Sequence, residues 1–246
     1  MSFPLTSRLK KVWASIALLS IELVIIIVLF IISILGFVFL VNRIFRLEKD
    51  EFDFRIFGFL NNYINEVNTG VMVFITFFAT HTFLIPANLV LIAYFLFIKR
   101  HRWYSIKVPV VAIGSVCMML LLKLFFSRPR PLTPLLQEVK GFSFPSGHSM
   151  SAMTFYGLII YLVYKNVTLP WLRWTLILVL SLFIVAIGFS RIYLRVHYTS
   201  DVLAGFAIGL IWLVISISVM AGIEKFTRKK IAPIITDEPK QQTISE

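Results

Sequence analysis

Six long apolar runs, at residues 13–41, 71–98, 106–127, 148–164, 172–190 and 202–223, divide the chain, and its charges gather mostly between them. The hydrocarbon core of a bilayer is about 30 Å thick, and an α-helix of about 20 residues crosses it. Each run is near that length or exceeds it. A chain of 246 residues cannot hide six such runs inside one water-soluble core. Only 15% of the residues are charged and 59% are hydrophobic, whereas a soluble domain is about a quarter charged. Lipid offers the backbone no hydrogen-bond partner, so apolar spans satisfy their own N–H and C=O groups as helices. The expected fold is therefore all-α, a polytopic membrane protein built as a six-transmembrane-helix bundle.

The chain carries a net charge of +12, and the placement of its cations explains the surplus without nucleic acid. With the N-terminus placed in the cytoplasm, fourteen of the 24 Lys and Arg residues fall on the inner side and ten on the outer. The positive-inside rule then puts both termini in the cytoplasm of a multi-pass protein of the cell (inner) membrane. The resulting plan has a cytoplasmic N-terminus (1–12), a transmembrane domain (13–223) and a polar cytoplasmic tail (224–246). The basic stretch at the N-terminus reads as part of an uncleaved anchor. Within 48–66, Phe52, Ile56, Phe57, Leu60, Tyr63 and Ile64 recur at helical spacing. That segment is either an amphipathic helix on the outer interface or an ectoloop packed on the bundle. His81, Thr82 and Pro86 interrupt the run 71–98, which is kept as one crossing although a kinked or re-entrant segment fits as well. Glu22 and His81 read as satisfied intramembrane polar residues. Cys117, the single cysteine, excludes an intrachain disulfide.

Alternating helix direction brings the ends of spans three and five and the starts of spans four and six to one face, on the periplasmic or extracytoplasmic side. Those ends carry Lys123, then Ser127-Arg128-Pro129-Arg130-Pro131, then Pro145-Ser146-Gly147-His148, and finally Ser190-Arg191 with Arg195, His197, Tyr198 and Asp201. Lys and Arg at an interface compensate a phosphate, and the guanidinium fork meets two oxygens at once. Ser146 suits an N-cap, Gly147 allows close approach of the backbone, and the helix start presents N–H groups to an anion. His197 and Asp201 stand four apart, so the carboxylate can hold one ring nitrogen while the other attacks phosphorus. His148 is placed to protonate the leaving oxygen. The acids form no cluster suited to metals, so a metal-independent mechanism with no cofactor is expected.

At these residues the chain resembles the type 2 phosphatidic acid phosphatase (PAP2) family, in its membrane lipid phosphatase branch, which is related to the vanadium haloperoxidases. The family's motifs, Lys-x6-Arg-Pro, Pro-Ser-Gly-His and Ser-Arg-x5-His-x3-Asp, fall here at Lys123 with Arg130-Pro131, at Pro145–His148, and at Ser190-Arg191 with His197 and Asp201. The resemblance implies that His197 forms a phosphohistidine, Asp201 orients it and His148 is the general acid. It implies that Lys123, Arg130, Ser146, Gly147 and Arg191 hold the phosphate. Arg128 and Arg195 are left as candidates for a second phosphate or a headgroup. The implied partner is a lipid phosphate in the bilayer: polyprenyl diphosphate, phosphatidylglycerophosphate, phosphatidate or lipid A 1-phosphate. A lipid phosphotransferase, or a non-catalytic protein that binds or transports lipid phosphates, is the alternative on the same residues.

Overall fold

The computed structural model describes residues 21–48, 50–135, 141–227 and 229. The N-terminal stretch 1–12, the start of the first run, the Glu22 side chain and nearly all of the 224–246 tail lie outside the described residues. Eight α-helices follow one another, and no strand occurs among the described residues. They are α1 (Ile21–Val41), α2 (Glu51–Leu60), α3 (Glu66–Phe77), α4 (His81–Ala93), α5 (Arg102–Phe126), α6 (Gly147–Asn166), α7 (Pro170–Tyr193) and α8 (Thr199–Phe226).

Local chemistry sets these boundaries. Asn65 starts α3 by accepting from the Asn68 N–H at 2.8 Å, and Pro170 opens α7, where its missing N–H costs nothing. Ser127 ends α5 in the left-handed region (φ 47°), and Pro129 and Pro131 bar the helix from resuming.

Five helical stretches are long and apolar enough to cross a membrane: Leu23–Arg46, Glu66–Ile98, Arg102–Phe126, Pro170–Tyr193 and Thr199–Phe226. The protein is an integral membrane protein. The run expected at 148–164 is α6, which falls short in apolar content because its first two turns read Gly-His-Ser-Met-Ser-Ala-Met-Thr. It sits among α5, α7 and α8 and so meets protein where the other spans meet lipid. At the opposite extreme, α1 exposes Ile25, Ile32 and Leu35 and buries little beyond its end near Phe126 and Phe144. In a bilayer those side chains face acyl chains.

The run 71–98 lies in one helical stretch, Glu66–Ile98, that carries a kink: α3 begins earlier than the run, at Glu66, and the chain turns at Phe78–Thr80 before α4. At the turn the Tyr156 hydroxyl donates to the Phe78 carbonyl at 2.8 Å. The segment 48–66 has features of both of its readings. α2 buries Asp53, Phe57 and Leu60 against Ile192 and Val202 of the bundle, while Phe52, Phe54 and Phe59 stay exposed.

Helices α6 and α8 approach closely because α8 presents Gly205 and Gly209. A Cβ at Gly205 would lie 2.7 Å from the Ser146 carbonyl oxygen, and one at Gly209 would lie 2.8 Å from Met153 Cβ. The N–H of Ser146 donates to the Asp201 carbonyl at 3.0 Å, locking the starts of the two helices together. At the other end of α8, Glu224 accepts from buried Lys107 of α5 at 3.0 Å. Lys107 is thus part of an ion pair between helices and not a solvated anchor.

Candidate active site

The end of α5, the start of α6, the end of α7 and the start of α8 meet as the helix directions require. His197 stands just before α8 and is buried. Its Nε2 lies 3.3 Å from the Arg130 guanidinium, and its Nδ1 lies 3.3 Å from Ser143 Oγ and 3.6 Å from Asp201 Oδ2. Arginine can only donate, so Nε2 accepts and the ring proton belongs on Nδ1. Ser143 then accepts from Nδ1–H and donates to Asp201 Oδ2, in a close contact that bridges the pair. Asp201 is wholly buried at the third position of α8, where Oδ2 also accepts from the Tyr198 N–H at 3.0 Å.

Burial pushes the His197 ring down to about 3; Asp201 pulls it upward, and Arg130 and Arg191 push it further down. The imidazole is therefore neutral across the physiological range, with the Nε2 lone pair available for attack.

The cations surround that nitrogen. Arg130 is fixed by donating from Nε to the Gly141 carbonyl at 3.0 Å and from NH1 to the Val196 carbonyl at 2.7 Å. Lys123 donates to the Phe142 carbonyl at 2.5 Å. Arg191 donates to Thr76 Oγ1 at 2.7 Å, while its buried Nε meets no acceptor, as suits a group awaiting an anion. Burial first, and then Arg191, His197, Arg130 and Lys123 together, hold the pKa of His148, in the first turn of α6, well below the usual imidazole range. Ser146 caps α6, accepting from the Ser149 N–H at 3.4 Å and the Ser149 hydroxyl at 2.9 Å, which leaves its own hydroxyl hydrogen to donate. Gly147 and His148 open the helix, so their N–H groups have no acceptor within it.

Two expected residues are placed elsewhere. Arg128 does not face a second phosphate. Its buried guanidinium donates to Asp201 Oδ1 and Asp50 Oδ1, each at 2.7 Å, to Ser200 Oγ at 2.8 Å and to Asp53 Oδ2 at 3.1 Å, and the Tyr198 ring covers it at 4.1 Å. Burial lowers the Arg128 pKa, but the neighbouring carboxylates, Asp201 first, leave it raised overall. Arg195 donates to Thr133 and Asn61 and lies over the Phe57 ring, outside the cradle. Asp50, Asp53, Ser143 and Thr76 were not foreseen. Asp53 carried a signal, a carboxylate on the apolar face of α2, but Ser143 and Thr76 carried none.

Between α4, α5 and α6 a cavity of about 690 Å³ ends at Gly147 and His148 and runs past Ala79, Ser115 and Phe155 to Leu158. Along α6 it extends about 16 Å, at 1.5 Å per residue. His81 lines it, which places that residue on the wall of a cavity and not within a packed core.

A family model described as the PAP2 superfamily matches residues 104–224. Phosphatidylglycerophosphatase B of Bacillus subtilis (strain 168) is 34% identical over 171 residues, 68% of this chain and 80% of that protein. The chain belongs to the PAP2 superfamily. Undecaprenyl-diphosphatase BcrC of the same organism is 28% identical over 153 residues, covering 60% of this chain and 72% of its own length. The fold agrees with the crystal structure of the transmembrane PAP2 type phosphatidylglycerolphosphate phosphatase from Bacillus subtilis, with TM-score 0.71 and 28% identity over 80% of this chain and 98% of that one. Aquifex aeolicus LpxE gives TM-score 0.52 and 26% identity over 67% and 94%.

Proposed function

We propose that this PAP2 protein is a metal-independent lipid phosphate or diphosphate phosphatase of the cell membrane, acting on the extracytoplasmic face. A neutral, buried His197 with its Nε2 directed at a cationic cradle, beside an apolar cavity that ends at His148, is the observation that carries the reading. The cradle suits a phosphate, and the cavity suits the apolar chain attached to it. Positive charge on the inner side supports the orientation.

In the reaction, His197 Nε2 attacks phosphorus, and the bond from phosphorus to the departing oxygen breaks with its electron pair on that oxygen. With the anionic substrate offsetting the cations around it, His148 binds a proton and gives it to the oxygen, releasing a lipid alcohol or a lipid phosphate. Water then attacks the phosphohistidine, passing a proton back to His148, and the phosphorus–nitrogen bond breaks to free phosphate and restore neutral His197. Lys123, Arg130 and Arg191 compensate the charge that grows on the phosphoryl oxygens. Asp201, through Ser143, keeps the proton on Nδ1 throughout. No step calls for a metal, and the three carboxylates nearest the site converge on the Arg128 guanidinium.

Phosphatidylglycerophosphate and polyprenyl diphosphate are the first substrates to try, with phosphatidate and lipid A 1-phosphate beside them. The test is phosphate release by purified protein in detergent with chelator present. The expected result is release from at least one lipid that is lost in His197→Ala. Failure with every lipid, or full activity in the variant, would overturn the proposal.

A further inference from the structure

We propose that Arg128 is a positioning residue for Asp201 and that α2 holds it in that role through Asp53. This inference rests on the phosphatase reading above. Asp201 has two oxygens with different duties. Oδ2 faces His197 and takes the bonds from Ser143 and the Tyr198 N–H, whereas Oδ1 is held by Arg128 NH1 at 2.7 Å. Without that donor, the carboxylate of a wholly buried side chain can turn about its last torsion and lose its alignment with the imidazole.

The guanidinium is set by its other partners. NH1 also reaches Ser200 Oγ, and NH2 reaches Asp50 and Asp53 of the α2 region. Asp53 is itself buried and accepts from the Ser200 N–H at 2.9 Å and the Ser200 hydroxyl at 2.5 Å. It therefore acts as a cap on the first turn of α8, supplied by a helix almost 150 residues away in sequence. The arrangement needs a planar fork: two nitrogens meet four acceptors on two elements, and a lysine ammonium cannot span them. Asp50 and Asp53 precede residues 104–224, so they lie outside the part of the chain that matches the family model.

The test uses the full-length protein and two variants, Arg128→Lys and Asp53→Asn. One readout is kcat and KM for a lipid phosphate; the other is the histidine 15N spectrum without substrate, where four histidines make His197 assignable by comparison with His197→Ala. The expected result for Arg128→Lys is a kcat at least tenfold lower, a KM within twofold, and loss of the single Nδ1–H form of His197. Asp53→Asn should move both readouts the same way by less, and it decides alone if Arg128→Lys does not fold. An unchanged His197 spectrum overturns the proposal, as does a loss of activity that appears in KM alone. Wild-type protein that releases no phosphate would sink the phosphatase reading separately, while the spectra still decide whether Arg128 positions Asp201.

Discussion

Helices α5 and α8 are joined by an ionic contact at each end, and in both α5 or its immediate extension gives the cation while α8 gives the acid. At the start of α5 Lys107 meets Glu224, and just past its end Arg128 meets Asp201. The first contact binds one helix to another. The second gathers two further carboxylates around its guanidinium, and the acid it holds has a second oxygen turned to a histidine. Buried charge therefore has two uses in this fold. One holds helices together, and the other aims a side chain.

The difference can be broken most sharply at Asp201. Replacing it by Asn removes the acceptor that keeps the proton on His197 Nδ1, and kcat should fall by about 10³- to 10⁴-fold, measured by phosphate release. At the opposite end of α8, Lys107→Ala should act on stability alone. Removing the buried cation that compensates Glu224 should cost about 3 kcal/mol, read from thermal unfolding, with kcat unchanged. A large fall in kcat there would mean that the two ends do not differ in kind. Ser143→Ala, which takes away the bridge but leaves Asp201 and Arg128 in place, should lower kcat about tenfold, or ~1.4 kcal/mol of barrier.

The last effect concerns pH. Burial holds the pKa of folded His197 at about 3, well below the ordinary imidazole value, about 6.5, so the unfolded chain binds the extra proton first. Stability should decline as pH falls through 6.5 and level off near 3, and His197→Phe should flatten that part of a melting-temperature profile. An identical profile in the variant would show that the ring is not held neutral.

Much of the candidate site is legible in the sequence, because its residues sit at fixed spacings beside helix ends. Lys123, Arg130, His148, Arg191, His197 and Asp201 bring cations, imidazoles and an acid to those ends. Helix direction then brings them together without knowledge of the packing. Arg128 was misread for a physical reason: two arginines flank one proline, and nothing local shows that one faces the cradle and the other the carboxylates behind it. The answer depends on α2, whose docking is a tertiary event between residues far apart in sequence. The break between α3 and α4 was anticipated as an alternative from His81, Thr82 and Pro86, yet it falls just before them, where Tyr156 supplies the missing donor. α6 stands where the run 148–164 places it and is less apolar than the other long helices, since a helix enclosed by protein has no need of an apolar surface.

The contact at Gly205 and Gly209 has a consequence for how such a protein can change. Because the main chain of α8 at Gly205 approaches the Ser146 carbonyl and at Gly209 approaches Met153 Cβ and the Met150 carbonyl, the offset between the helix bearing His148 and the one following His197 is set by atoms at or next to the backbone and little by the outer parts of core side chains. Substitutions elsewhere in the interior can accumulate and shift the melting temperature while the reacting groups keep their register. Divergence in this fold is then limited by whether the bundle stays assembled, well before the alignment of His148 with His197 is disturbed.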